Sequence, residues 1–270
     1  MGMLATPKQL PISVCMISGP EAGRIGRALA SVAPWASEII VVLNEDAHDG
    51  TEEIARQHGA KVFREPWKGH IAQKNSAAQK ATQDWVLGLD ADEVVSPGLC
   101  EEILAALADP GQSGSFAAFS FPRLSWYCGR WIRHGDWYPN RQTRLWRRGW
   151  AKWGGVDPHD KLLVEGPVRK LRCNLLHYTT DTFNHQVAKT VTYADAFVQH
   201  RMQTGQHITF ADLLVRPAWR FVRGYFLKLG FLDGWQGYAI AWLTAFYTFL
   251  RYAKAREAQA GTSVEELGPR

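Results

Sequence analysis

Three carboxylates lie within four residues in the stretch VLGLDADEVV, residues 86–95. Asp90, Asp92 and Glu93 follow an apolar run that is typical of a buried strand. Side chains two residues apart on an extended segment point the same way, so the two aspartates hold like charges close together. A divalent cation relieves this repulsion, and carboxylate oxygens suit Mg²⁺ or Mn²⁺. The pattern favours a metal site; the alternative is that Asp92 or Glu93 only caps the next helix.

The elements that must position these acids alternate regularly along the first 90 residues. The predicted strands cover residues 12–17, 38–43, 60–65 and 84–90, and the predicted helices cover residues 21–32, 49–59 and 71–82. Asp49 or Thr51 is the expected N-cap of the second helix. The alternation predicts an α/β fold, a parallel sheet covered by helices on both faces. Ligands bind such sheets at the carboxyl ends of the strands, where Asp90 and Asp92 fall.

The pattern changes after Pro110. Residues 116–127 and 141–149 look like strands of a mixed sheet, and residues 161–178 like a hairpin-type continuation. From about residue 182 the sequence is helical. We therefore expect an α/β domain over residues 1–180 and a helical region over residues 181–270.

Charge and composition limit the class of protein. The net charge is +5, and residues 123–152 contain eight Lys or Arg against one acid, Asp136. An excess of this kind suits the phosphates of nucleotides, nucleic acid or anionic lipid, and the alternative is a merely solvated face. The four cysteines lack CxxC spacing and the first residues do not resemble a signal peptide, so we expect a cytoplasmic protein.

The same basic segment is rich in aromatic residues. Six tryptophans lie between Trp126 and Trp153. Core packing is the default role of any single Trp, but aromatic rings in a polar loop also stack on sugars and basic groups. We expect Arg133, Trp137, Tyr138 and Arg144 to bind a phosphorylated or lipid-linked saccharide.

The C-terminal region carries aromatic residues flanked by Arg and Lys. Its longest uncharged apolar run, residues 238–250, has 13 residues, whereas a spanning helix needs about 20. We expect interfacial helices on the inner face of the cytoplasmic membrane. The alternative is burial against the α/β domain or a second copy in a homo-oligomer.

Six segments in one order resemble a known family. They are ISVCMISGPEAGRI, EIIVVLNEDAHDGT, GHIAQKNSAAQKATQDWVLGLDADE, GRWIRHGDWYPNRQTRLWRRG, VDPHDKL and RGYFLKLGFLDGWQGYAIA. The chain resembles the family 2 glycosyltransferases of GT-A fold, most closely the lipopolysaccharide-core heptose β-1,4-glucosyltransferase type. The resemblance implies a Rossmann-like, mainly parallel mixed sheet flanked by helices, with a C-terminal helical extension. It also implies inverting hexosyl transfer from a nucleotide sugar, UDP-sugar above all, with Mn²⁺ or Mg²⁺.

The resemblance also implies residue roles. The nucleotide-sugar half would span about residues 1–110 and the acceptor half about 111–180. Asp92 would ligate the metal, and Asp90 would contact the donor ribose or the metal. Lys74 and Asn75 would lie near the nucleotide, although a lysine on a helix surface is the common alternative.

Two positions at the nucleobase end differ from the family pattern. The loop Ser18 to Glu21 would approach the base, but its Pro20-Glu21-Ala22 replaces the usual Asn-Glu-Glu. Asn44 replaces the usual aspartate after the second strand. Its amide carbonyl can still accept from a uracil N–H.

The base and a second metal ligand follow by the same resemblance. Asp160, in the DPHDK segment, stands where the family has its catalytic carboxylate; Asp157 competes, and a turn-capping role is the alternative for Asp160. His177 fits the histidine that ligates the metal in many GT-A enzymes. A semi-buried structural histidine is the other interpretation.

Three other functions stay open at the level of sequence. A nucleotidyltransferase would also use strand-end acids, metal and basic residues. A nucleic-acid-binding protein could use the net charge of +5 and the Arg/Trp loop, but would not need the acids at the strand end. A degenerate glycosyltransferase fold that only binds is a third alternative. We predict nucleotide-sugar and saccharide or glycolipid partners, and no nucleic acid.

Overall fold

The computed structural model describes residues 9–157, 159–180 and 207–260, with isolated positions between 183 and 201. These residues form two compact units. The first unit comprises residues 1–123 and 140–177, and the second comprises residues 124–139 and 178–270. The predicted start of the helical region, near residue 182, lies outside the described residues.

The first unit begins with the alternating strands and helices that the sequence predicts. Its elements to residue 115 are β1 (Leu10–Ser18), α1 (Ile25–Ala30), β2 (Ala36–Asn44), α2 (Thr51–Gln57), β3 (Lys61–Glu65), α3 (His70–Gln79), β4 (Trp85–Gly88), β5 (Glu93–Val95), α4 (Pro97–Ala108) and α5 (Pro110–Ser115). The N-cap of α2 is Gly50 rather than Asp49 or Thr51. Asp49 instead accepts hydrogen bonds from the amide and the hydroxyl of Thr51, which fixes the turn before the helix.

The remaining strands make the sheet mixed. They are β6 (Ala118–Tyr127), β7 (Arg130–Ile132), β8 (Asn140–Arg147), β9 (Ala151–Val156), β10 (His159–Val164), β11 (Val168–Lys170) and β12 (Leu175–Thr180). The main order is β3-β2-β1-β4-β8-β6-β12-β5, and β9 pairs separately with β10. Pairing is parallel from β3 to β4 and antiparallel between β4 and β8. The predicted mixed sheet flanked by helices, with a helical C-terminal region, is confirmed.

The segment 161–178 does not continue as a hairpin, and that prediction is wrong. β11 lies parallel to β6, and β12 lies antiparallel to β5. Gly166 adopts a φ of 134°, a conformation that favours glycine, and Pro167 follows it without an N–H. The chain therefore leaves β10 and pairs next with β6 and then with β5, through β11 and β12.

Apolar residues on both faces of the central strands form the core. Val14 and Met16 of β1 belong to one buried cluster with Leu29 of α1 and Leu99 of α4. On the opposite face, Cys15 packs in a second cluster with residues of β2, α3 and β4. The alternation of side chains along β1 thus places helices on both faces, as the continuous apolar strands predict.

One buried carboxylate connects neighbouring segments of the first unit by hydrogen bonds. Glu38 on β2 is buried and accepts hydrogen bonds from Ser13, Lys61 and Thr82. Burial raises the pKa of Glu38, but the bonds from Lys61, Ser13 and Thr82 outweigh it and lower the pKa to about 2. The carboxylate therefore stabilises the fold in its ionised form.

Replacing Glu38 with Gln tests this network. We expect Glu38→Gln to lower the free energy of unfolding at pH 7 by roughly 2–3 kcal/mol, because charge-assisted hydrogen bonds are lost. The stabilisation is complete above the ordinary pKa of 4.5 and disappears as the pH falls toward about 2. Urea denaturation across this pH range should therefore show the two proteins converging at low pH, while Glu53→Gln, at an exposed position on α2, should change little. A constant difference at all pH values would contradict the role of the charge.

The second unit contains the end of β6, β7 and the C-terminal helices. The helical elements with described bounds are a 3₁₀ turn (Gly135–Trp137), α6 (Phe210–Val222), a π-helical turn (Arg223–Leu227), a second 3₁₀ turn (Gly230–Asp233) and α7 (Gly234–Ala260). Thr209 caps α6 in a reciprocal pair with Asp212. A Cβ on Gly237 would lie 1.9 Å from the carbonyl oxygen of Gly230, so only glycine permits the second 3₁₀ turn to pack on α7.

The helix α6 buries none of its residues. Phe210, Leu214 and Trp219 are each more than half exposed. On α7, the exposed side chains of Trp235, Tyr238, Trp242, Phe246 and Phe249 recur at helical spacing along one face. None of the helices that the structure describes is long and apolar enough to cross a membrane.

Candidate active site

The strand-end acids form a compact turn after β4. The amide of Glu93 donates to the carbonyl oxygen of Asp90 at 2.9 Å, and the amide of Asp90 donates to the Glu93 carboxylate at 3.1 Å. Glu93 is fully buried, whereas Asp90 and Asp92 stay partly exposed. Glu93 thus supports the turn from inside, and the two aspartates face the site.

Two arginines from neighbouring strands neutralise the buried end of this turn. Leu145 on β8 pairs with Leu87 on β4, which brings the adjacent Arg144 to the strand end. Its Nη2 lies 2.7 Å from Asp90 Oδ2 and 3.5 Å from Glu93 Oε1. Arg123 on β6 places Nη1 3.2 Å from the same Glu93 oxygen.

Sequence analysis missed the roles of Glu93 and Arg123. The available signal was a charged residue within the apolar strand of FPRLS, because a buried charge requires a partner. Arg144 was expected at the acceptor site, but it is buried and bonded to the strand-end acids. Its part in acceptor binding stays a prediction.

Lys74 joins three segments of the first unit. Its Nζ, on α3, lies 3.0 Å from Asp90 Oδ1 and 3.0 Å from Asp160 Oδ2 on β10. The same ammonium lies 4.7 Å from the centroid of the Trp153 ring, and the Arg144 guanidinium lies 5.2 Å from it. Asp90, Lys74 and Asp160, predicted separately from sequence, are thus brought into one chain of ion pairs.

These charges fix the ionisation of Asp90. Burial raises the pKa of its carboxyl, but Arg144 and then Lys74 lower it by more. The pKa of Asp90 is held well below its usual range, so this side chain is a carboxylate at every physiological pH.

The helix α3 is held against β9 by a side-chain amide. Asn75 Nδ2 donates to the Trp153 carbonyl oxygen, and the Trp153 amide donates to Asn75 Oδ1, both at 2.9 Å. Asn75 therefore fixes the position of Trp153, under the Lys74 ammonium. Its contact with the donor nucleotide stays a prediction.

The two candidate bases differ in their environments. Asp157 Oδ1 accepts a hydrogen bond from the backbone amide of Ile71 at 3.1 Å, in the first turn of α3. Asp157 therefore satisfies a free N–H at a helix start. Asp160 instead lies beside Lys74 and is only 14% exposed.

Asp92 and His177 form the second group of predicted ligands. His177 on β12 pairs with Glu93 on β5, and its Nε2 lies 3.3 Å from Asp92 Oδ2. Burial raises the pKa of Asp92, but the hydrogen bond and the charge of His177 outweigh it, so the pKa lies below its ordinary value.

A divalent cation fits this pair of side chains chemically. Carboxylate oxygen and imidazole nitrogen both bind Mn²⁺ and Mg²⁺, although oxygen is preferred. Residues 9–157, 159–180 and 207–260 hold no group of three or more His, Cys, Asp or Glu that could bind a metal. A cation here would therefore need phosphate and water oxygens to complete its shell, which is how Mg²⁺ commonly binds with substrate phosphates.

The predicted nucleobase end lies at the ends of β1 and β2. Asn44 Oδ1 is buried and has no hydrogen-bond partner in the described part of the chain. Ser18 donates through its hydroxyl to the Gly19 carbonyl oxygen at 2.9 Å, and the Glu21 amide donates to the Thr51 hydroxyl at 2.9 Å. Asn44 is therefore the residue of this group with unused acceptor capacity.

The predicted acceptor loop belongs to the second unit. The Arg133 side chain is exposed, while its amide donates to Asp233 Oδ2 at 2.9 Å. The rings of Trp137 and Tyr127 lie 5.2 Å apart, so Trp137 is partly a packing residue. Tyr138 is half-buried.

Removing Arg144 tests the buried ion pairs. We expect Arg144→Met to lower the free energy of unfolding by about 3–5 kcal/mol, because it leaves the buried Glu93 and Asp90 charges with fewer partners. The control is Arg148→Met, since the Arg148 side chain is exposed and donates to the backbone carbonyl oxygen of Gln83. Urea denaturation of both variants measures the difference. Equal, small losses of unfolding free energy in the two variants would contradict the stabilising role of the Arg144 ion pairs.

Comparison with known proteins adds sequence relatives. A family profile described as glycosyl transferase family 2 matches residues 13–171. A Rickettsia felis protein named as an uncharacterized glycosyltransferase is 30% identical over 262 residues, covering 92% of this chain and 90% of the relative. The lipopolysaccharide core biosynthesis glycosyltransferase LpsC of Rhizobium meliloti is 27% identical over 262 residues, covering 93% of this chain and 94% of LpsC.

One solved structure illustrates the likeness at the level of coordinates. The crystal structure of S. aureus TarS in complex with UDP has a TM-score of 0.48 and 12% sequence identity to this chain. The match covers 94% of this chain and 92% of the TarS chain.

Proposed function

The chain belongs to glycosyl transferase family 2, and we propose that it is a metal-dependent, inverting hexosyltransferase. The donor is a UDP-sugar, and the acceptor is the saccharide of a glycolipid such as a lipopolysaccharide core. The name of the relative LpsC supports this acceptor class.

The observation that carries the proposal is the bridge made by Lys74. One ammonium lies 3.0 Å from Asp90 and 3.0 Å from Asp160. A residue proposed to position the donor is thereby set at a fixed distance from the proposed base. Direct displacement at a sugar carbon requires this alignment of acceptor and donor.

Asp160 is the proposed general base. Its carboxylate accepts the proton of the acceptor hydroxyl as the hydroxyl oxygen attacks the anomeric carbon from the face opposite the diphosphate. Attack from that face inverts the configuration. Lys74, which itself lies over the Trp153 ring, holds the carboxylate in place.

Asp92 and His177 are the proposed holders of the cation. When bound, Mn²⁺ or Mg²⁺ would neutralise the charge that develops on the leaving diphosphate. With His177 neutral, as a metal ligand requires, four carboxylates, those of Asp90, Asp92, Glu93 and Asp160, lie here against three cationic side chains, those of Lys74, Arg123 and Arg144. This excess of negative charge supports a role for an added cation.

Asn44 is the proposed contact with the nucleobase. Its buried Oδ1 lacks a partner in the described residues, and an amide oxygen accepts from a uracil N–H. This supports UDP as the nucleotide. The other proposed contacts with the donor are Ser18 and Glu21 on the neighbouring loop and Asn75 on α3.

The exposed apolar face of α6 and α7 is the proposed contact with the inner face of the cytoplasmic membrane. Arg220 on α6 and Arg223, which follows the helix, pair with Asp136, and Arg216 lies over the Tyr252 ring. The apolar side is left to water, which is costly unless another phase or molecule covers it. A membrane acceptor supplies such a phase, and a second copy of the chain is the alternative.

The catalytic proposal is tested with Asp160 and its neighbour. We expect Asp160→Asn to reduce UDP release from a UDP-sugar, with deacylated lipopolysaccharide core as acceptor, by about 10²- to 10⁴-fold, as for other general bases. Asp157→Asn keeps an oxygen that can accept the Ile71 amide, so it should change stability little, with kcat nearly unchanged. A larger fall in kcat for Asp157→Asn would assign the base to Asp157, and release of pyrophosphate instead of UDP would contradict the reaction class.

The membrane proposal is tested by charging the apolar face. Leu214→Glu combined with Trp219→Glu should abolish co-sedimentation with vesicles of bacterial phospholipids, since both side chains are more than half exposed and neither belongs to the buried core. Circular dichroism confirms that α6 is retained. If the wild-type chain does not sediment but the variant converts a dimer to a monomer in size-exclusion chromatography, the face is an oligomer contact instead.

A further inference from the structure

Three basic side chains of the second unit converge on one carboxylate. Asp136 lies 2.6 Å from Arg223 Nη2, 3.0 Å from Lys228 Nζ and 3.5 Å from Arg220 Nη1. The Asp136 side chain is 10% exposed, whereas those of the three cations are 34–42% exposed. The carboxylate is therefore the buried centre of the cluster, and the positive groups lie around it toward solvent.

This cluster has more positive charge than its own acid can neutralise. One carboxylate faces three cations, which repel each other at these distances. The arrangement is unfavourable unless it is compensated by solvent or by an anion that binds from outside. Arginine and lysine heads that are held together and partly exposed are typical of phosphate recognition.

The backbone holds the three cations in place. A π-helical turn covers Arg223–Leu227, and the amide of Lys228 donates to the carbonyl oxygen of Arg223 at 2.9 Å. The amide of Gly135 donates to the carbonyl oxygen of Lys228 at 2.9 Å, which ties the turn to the loop that carries Asp136. Single π-turns of this kind are frequent at functional sites.

The residues beside Lys228 indicate what carries the anion. Phe226, Leu227 and Leu229 are each 46–62% exposed. They come shortly after α6 in the sequence, and that helix also has an exposed apolar face. An anion with an apolar body would satisfy both the cations and these side chains.

We propose that Arg220, Arg223 and Lys228 form a binding site for a phosphate group of an amphiphile, either a phospholipid headgroup or the phosphate of a lipid-linked saccharide. Only the identity of the amphiphile rests on the proposed function. That the ligand carries a negative charge follows from the three cations of the cluster. Its three cations lie far in sequence from the strand-end acids, whereas Asp136, which they surround, belongs to the loop that carries Arg133 and Trp137.

The experiment compares two substitutions that each remove one cation from the segment 216–228. Lys228→Gln removes a member of the cluster and leaves Arg223 on Asp136. The control, Arg216→Gln, removes the partner of Asp212, an exposed ion pair on the same helix. The full chain is tested without donor on vesicles of phosphatidylcholine, with and without phosphatidic acid, and with pyrophosphate by calorimetry.

We expect Lys228→Gln to weaken binding to phosphatidic acid vesicles by about tenfold or more, as for loss of a charge-assisted hydrogen bond. Arg216→Gln should weaken it by about fivefold at most, the general effect of one cation near an anionic surface. Binding to phosphatidylcholine alone should be the same for both variants. If only pyrophosphate binding depends on Lys228, the site takes a soluble phosphate rather than a lipid.

Equal losses in the two variants, or no binding of the wild-type chain to either phosphate source, would overturn the proposal. Sugar transfer is measured separately by UDP release. A chain that shows Lys228-dependent phosphate binding but no UDP release would retain this site and contradict only the proposed function.

Discussion

The carboxylate of Asp90 lies between two cations that come from different elements, and the rest of the catalytic unit is arranged around this contact. Arg144 reaches it from β8 and Lys74 from α3. Charges removed from water are tolerated only when they are paired. These ion pairs therefore form only when the strand register, the position of α3 and the pairing of β9 with β10 are all as in the folded structure. The same requirement sets Asp160 beside Lys74, so a condition of stability also sets the geometry of the proposed reaction.

The second unit has the reverse distribution of charge. Two of its carboxylates, those of Asp136 and Asp233, are buried beside arginines, a lysine and a histidine. The large apolar side chains of α6 and α7, in contrast, are exposed. A globular protein in water normally shows the opposite arrangement. These exposed apolar side chains are the basis of the proposed contact with a membrane.

The alternating first half could be predicted from sequence because its signals are local. Uncharged β-branched runs such as ISVCMI, ended by Gly, Asn or Asp, leave few alternatives to buried parallel strands. The strand-end position of Asp90 and Asp92 followed directly. The predicted helix over residues 21–32 is shorter in the structure, Ile25–Ala30, because backbone turns occupy both of its ends.

Other features depend on contacts distant in sequence and could not be predicted. The different surroundings of Asp157 and Asp160 depend on the packing of α3, since the Ile71 amide lies 86 residues from Asp157. The paths of β11 and β12 followed from pairing with β6 and β5. The role of Glu93 emerged only when two arginines from other strands were placed beside it. Local patterns specify elements, whereas the partners of buried charges depend on the whole sheet.

The central claim is that the Asp92–His177 end of the site binds a cation together with a nucleoside diphosphate. The most direct measurement is calorimetric binding of UDP to the wild-type chain and to Asp92→Asn, each with and without Mn²⁺. The account predicts that Mn²⁺ strengthens UDP binding to the wild-type chain by about tenfold or more and that Asp92→Asn loses this gain, since its amide is a weaker metal ligand than a carboxylate. Equal UDP affinity with and without Mn²⁺ in the wild-type chain, or a gain that survives in Asp92→Asn, would contradict it.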